Sequence, residues 1–191
     1  MSKWNAILKS IDESKKNLKV YPVDPEAVSR INSAYEIDEE SILGTVLSNC
    51  GGITIDNWLR IYGAGEIDFR ARNAEYNIGC IVIAEDVVGG LFILLEGGKI
   101  GYFAPDTLAI ENLDMSYSQF LFWCVQGDTD SYYSDFRWVS WESDLINIST
   151  SYGVSFYPYL WAEAESINSR SRRQIHMKEI IAFEVEMHSK L

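Results

Sequence analysis

The stretch IGCIVIAEDVVGGLFILLEGGKIGYFA, residues 78–104, decides the fold. Residues 80–84 and 91–95 are near-continuous apolar runs, short enough for strands and uniform enough to be covered on both faces. Gly89 and Gly90 lie between them. Glu96, Gly97, Gly98 and Lys99 then lead into a third run at 100–104, because paired glycines accept the positive φ that tight hairpins require. Three consecutive strands joined by short turns make an antiparallel meander, which Pro105 and Asp106 are expected to end.

Upstream of this stretch the pattern is helical. Trp4, Ile7, Leu8 and Ile11 recur at helical spacing, and Asp24 with Pro25 supplies an N-cap and a first-turn proline for a second helix. A third helix is predicted over 38–49, stopped by Gly51 and Gly52. The period then changes: 53–55 and 58–62 read as strands around an Asp56-Asn57 turn, and 66–77 as a surface helix or loop. Downstream, Tyr117, Phe120, Leu121, Cys124 and Val125 mark a helix closed by Gly127. Trp138, Trp141, Leu145, Ile148 and Tyr152 predict another, ended by Gly153. Residues 166–173 are polar enough for an exposed loop, and 178–188 fit either element, with helix preferred.

The 191 residues suffice for one domain with a sizeable core, and 47% of them are hydrophobic, as in globular chains. Internal repeats and linkers are lacking, so a single domain over 1–191 is expected. The net charge of −12 repels a phosphate backbone, which argues against nucleic acid and suits a basic protein partner or plain solubility. Cys50, Cys80 and Cys124 are an odd number of dispersed residues in apolar stretches, read as buried free thiols. No run approaches the roughly 20 apolar residues of a membrane span, and the first residues lack a secretory leader, so a cytoplasmic protein is expected.

Chemistry leaves few signatures. Three Cys and two His, without metal-binding spacing, predict no zinc site, and no nucleophile elbow or phosphate loop occurs. Asp128, Thr129, Asp130 and Ser131 read as a capped helix start. Glu85 with Asp86 is one of several carboxylate pairs of the kind used for acid–base work. Arg70 with Arg72, and Arg170, Arg172, Arg173 and Lys178, are basic spots able to grip an anion, although the acidic surplus makes internal ion pairs the default. Among the aromatics, Trp138 and Trp141 should face a core, whereas the irregular segment of Tyr157, Tyr159 and Trp161 is the better interface.

The strings SILGTVLSNCGG, WLRIYGAG, IAEDVVGGLFILLEGG, YFAPDTLAIENL, FRWVSWESD, FYPYLWAEAES and SRSRRQIHMKE, spread over residues 41–179, resemble the bacterial family known as domain of unknown function 2625. More distantly, a leading helix, a glycine stop and a glycine-turned meander flanked by helices is similar to the SUKH superfamily. That resemblance implies protein binding, since many of its members are immunity proteins that neutralise toxins. The longer, aromatic region after Gly127 departs from a minimal domain of that type.

The resulting expectation is a SUKH-like α+β domain, a central antiparallel meander flanked by helices. Its function is expected to be non-enzymatic protein interaction, as in a toxin-neutralising immunity protein with a basic target, without cofactor, metal or membrane. The alternative is a small-molecule-binding domain or an enzyme, and a structural subunit of a homo-oligomer stands third. Tyr157, Tyr159 and Trp161 are the expected contact residues of the first reading. Arg60, Asp86, Arg137 and Arg172 are the polar groups of the second.

Overall fold

The computed structural model describes residues 2–190; Met1 and Leu191, the ends of the expected domain, lie outside the described residues. Short polar side chains start most helices. Ser2, Asp24 and Ser41 accept hydrogen bonds from first-turn N–H groups of α1 (Lys3–Asp12), α2 (Pro25–Ala34) and α3 (Ile42–Asn49), groups that have no intrahelical partner. β1 (Leu18–Val20) lies between the first two helices, and β2 (Ile53–Ile55) and β3 (Leu59–Ile61) follow the third. Asp68 caps α4 (Phe69–Tyr76). Then come β4 (Ile81–Asp86), β5 (Leu91–Leu94), β6 (Lys99–Ala104) and β7 (Ala109–Ser116). Ser116 and Gln119 form a capping box at α5 (Tyr117–Gln126), and Asp128 caps the short α6 (Thr129–Tyr132), as its sequence suggests. The chain continues through α7 (Trp141–Leu145), β8 (Tyr152–Tyr157), β9 (Ser171–His176) and α8 (Met177–His188).

Strands β1 to β7 form one antiparallel sheet in sequence order, so the protein is α+β, with the expected meander at its centre and helices around it. The pleat decides which helix meets which residue. Arg60, Glu85, Leu91 and Phe103 stand in register on one face, where Phe103 lies edge-on to His188 of α8. The next residues along, Asp86, Phe92 and Tyr102, point the other way. There Phe92 packs 4.7 Å from Phe120 of α5, ring centre to ring centre. Covering both faces buries β4, β5 and β6 almost end to end.

Several expectations need correction. The meander does not end at Pro105 and Asp106: the chain turns at Leu108 and pairs β7 with β6. The third helix begins at Ile42 and not at residue 38, because Asp38 forms a turn that hands the capping position to Ser41. The stripe through 138–152 holds only the short α7; Tyr152 and Gly153 open β8, in which Val154 and Phe156 alternate inward at strand period. Residues 171–173, expected in a loop, belong to β9, whose side chains are mostly exposed. The preferred helix at 178–188 is present as α8. Among the described residues no helix is long and apolar enough to cross a membrane.

Candidate functional site

The turn between β4 and β5 brings two carboxyls together. Gly89 has φ 108°, a conformation that side-chain-bearing residues avoid. Its missing side chain leaves room for Glu184 of α8, since a Cβ there would stand 2.7 Å from Oε2. Gly90, next in line, leaves the same room for Asp86 and the Tyr102 ring. The glycine pair is therefore more than turn chemistry.

The two acids are solvated differently. Asp86 accepts from the Tyr102 and Tyr133 hydroxyls through Oδ2, at 2.7 and 3.2 Å, and from the Val88 and Gly90 N–H groups through Oδ1, at 3.0 and 2.9 Å. Burial pushes its pKa up, and these four donors pull against that. Glu184 has no such cradle: it is 3% exposed, and its Oε2 is buried without a hydrogen-bond partner. Burial first, and the charge of Asp86 second, hold its pKa well above the usual carboxylate range.

Glu184 lines a cavity of about 180 Å³ between α8, the β8–β9 hairpin and the segment that follows β8. Val88, Phe156 and Ile180 make apolar wall, and Tyr159, Trp161 and Phe183 make an aromatic side. Tyr159 and Trp161 are stacked nearly parallel, 4.8 Å apart, and both lie within 6 Å of the Phe183 ring centre. Tyr157, 69% exposed, stands edge-on to Tyr159. Arg170 fixes this segment, its guanidinium donating to the carbonyls of Pro158, Tyr159 and Ala162. That internal duty removes it from the anion-gripping cluster read in the sequence.

Of the seven residues singled out from the sequence, Tyr159 and Trp161 line the cavity, Tyr157 stands against Tyr159 outside it, and Asp86 reaches the cavity only through its charge on Glu184. The others lie elsewhere. Arg60 is buried on the Glu85 face, donating to Glu85 and to the carbonyls of Ser149 and Tyr152. Tyr62 and Tyr76 donate to the other Glu85 oxygen at 2.6 Å each, and Arg72 adds a second guanidinium. Glu85 and Asp86, one of several carboxylate pairs the sequence offers for acid–base work, are thereby set apart: adjacent strand residues face opposite sides of the sheet, so the two carboxylates cannot act on one substrate. Arg137 packs over Trp141, Trp58 and Tyr133 and pairs with Asp130. Arg172 is exposed beside the Trp138 ring.

Glu184 and Phe183 escaped the sequence reading because nothing local distinguishes a carboxyl that will be buried from one that will not. Their only trace was that Ile180, Phe183, Glu184 and Met187 fall on one helical face. Among the described residues, no three His, Cys, Asp or Glu side chains gather as a metal-binding group. Cys50 and Cys124 are buried, whereas Cys80 is only partly so; burial lifts the Cys50 pKa to about 11 and raises the other two, so none is poised as a thiolate.

The comparisons with known proteins agree on kinship and name no activity. The putative uncharacterized protein YbfG of Escherichia coli (strain K12) is 31% identical over 97% of this chain and 92% of its own length. An uncharacterized protein of Haemophilus influenzae is 26% identical, covering 93% and 86% respectively. No solved structure matches. The family described as "Protein of unknown function DUF2625" matches residues 1–180, and the chain belongs to it.

Proposed function

We propose that the protein is a non-enzymatic interaction domain that receives a basic segment of another protein at the aromatic edge formed by Tyr157, Tyr159 and Trp161, as a toxin-neutralising immunity protein would. The observation that carries this reading is the exposed Tyr157 set against a stacked Tyr159–Trp161 pair, beside a carboxyl-lined cavity. Large, rigid aromatic side chains lose little entropy on docking and dominate interface energetics. The charge of −12 steers a basic partner towards the domain. The meander flanked by helices supports the SUKH kinship on element order alone.

The test is paired capture at low and moderate salt, with wild type and the Tyr157→Ala, Trp161→Ala double variant as baits. A stoichiometric basic protein held by the first and lost by the second is the expected result. No stoichiometric partner, or equal capture by both, overturns the reading.

A second reading, binding of a free small molecule, is favoured by one observation: the unpaired Glu184 carboxyl at the wall of a half-open cavity is the kind of polar group that orients ligands.

A further inference from the structure

We infer that the cavity beside Glu184 is a receptor for one alkylammonium group, delivered by a lysine side chain of the partner's basic segment. This rests on the reading of the aromatic edge as a docking site for a basic protein, and it adds the chemistry that the site selects.

A carboxyl that is 3% exposed and has an oxygen with no partner is an arrangement a fold does not keep for stability, because burying an unsatisfied polar atom costs free energy. The missing partner is a hydrogen-bond donor. The lining supplies two carboxyls, Glu179 and Glu184, and, among the described residues, no lysine or arginine that could neutralise them from within. A cation from outside completes the site.

Its form follows from the walls. An arginine fork brings five donors into the cavity, more than the Glu184 carboxylate accepts, and the remainder would be buried unsatisfied. An ammonium is a compact charge satisfied by one carboxylate and by the faces of nearby rings. Tyr159, Trp161 and Phe183 supply the rings. Val88, Phe156 and Ile180 supply apolar wall against which a methylene stem packs. A volume of about 180 Å³ admits one such side chain and not a folded segment.

The probes are n-butylammonium, a pentapeptide with one central lysine and blocked ends, and 1-pentanol as the neutral isostere. Each is titrated into the isotopically labelled full chain, followed at the Trp161 indole N–H and the Phe183 and Glu184 amides. Butylammonium and the peptide are expected to bind one to one at this site, with pentanol at least tenfold weaker. Glu184→Gln, which keeps shape and removes charge, should weaken both cations by roughly ten- to a hundredfold, the range of a charged hydrogen bond. Trp161→Leu should weaken them independently of Glu184, so a misfolded single variant cannot decide the matter.

Pentanol binding as tightly as butylammonium, or Glu184→Gln binding unchanged, overturns the recognition of charge. Butylammonium binding without the peptide overturns the lysine source in favour of a free amine. If no cation binds while the paired capture still yields a basic partner lost on removing Tyr157 and Trp161, this inference fails and the docking reading stands. The reverse result overturns the docking reading and, with it, the partner's lysine as the source, and leaves the recognition of an alkylammonium group standing.

Discussion

The carboxyl of Glu184 rests on the backbone of Gly89, where a Cβ would stand 2.7 Å from Oε2. Gly89→Ala should therefore destabilise the protein in two ways, by strain at φ 108° and by collision with the carboxyl, together about 2–4 kcal/mol. Chemical denaturation of Gly89→Ala, Glu184→Ala and the pair separates them. The double variant should recover the collision, giving a coupling of about 0.5–3 kcal/mol; additive effects would place the side chain elsewhere.

Glu184 also sets a pH dependence. Its folded pKa lies above the usual carboxylate value, so below roughly pH 4 the folded and unfolded chains both hold the proton and nothing is lost. As pH rises, the unfolded chain ionises while the folded one does not, and stability falls until pH passes the folded pKa. Glu184→Gln removes that loss. Melting curves should show it gaining on wild type as pH rises above the ordinary carboxylate range, and a difference that stays constant with pH would contradict the assignment.

The Arg60–Glu85 network has a different task. Arg60 joins Glu85 of β4 to the carbonyls of Ser149 and Tyr152, and Arg72 donates to Thr150 O at 2.5 Å, so the two guanidiniums fasten the entry of the β8–β9 hairpin to the sheet. Arg60→Met strands Glu85 without that partner and should cost about 3–5 kcal/mol. Amide exchange at residues 149–153 should accelerate more than in β5. Equal acceleration everywhere would mean a global effect instead.

Tyr157 is expected to matter for binding and not for folding. With 69% of its surface exposed, Tyr157→Ala should change stability by no more than about 0.5 kcal/mol, and weaken partner capture by more than about 1 kcal/mol. A destabilised variant with full capture would assign the residue to the core.

Much of the fold was legible because burial writes itself into sequence. The runs around Val82 and Phe92 are apolar on both faces, and Asp24 and Asp128 cap helices where their spacing says they should. What failed to show was polar. β7 and β9 are edge strands with exposed side chains, and an edge that resists aggregation lacks the apolar alternation that marks a strand. The steps of three and four from Trp138 to Tyr152 mimic a helix, yet Trp138 lies in the loop before α7 and Tyr152 in β8. Half of the site was readable as the aromatics Tyr157, Tyr159 and Trp161. Glu184 was not, because its burial is made by Gly89, 95 residues earlier in the sequence, and only the folded chain brings them into contact.

The most direct measurement is the titration of the Glu184 side-chain carboxyl by carbon-13 NMR, with and without n-butylammonium. Asp86 beneath the turn and Glu179 on the same helix are the acidic groups that face it; both resonances are followed alongside. Glu184 should titrate well above the ordinary carboxylate range in the free protein and shift downward when the cation is added, because the ammonium favours the ionised form. An ordinary pKa in the free protein, or one that the cation leaves unmoved, would contradict a cation-receiving carboxyl at this site.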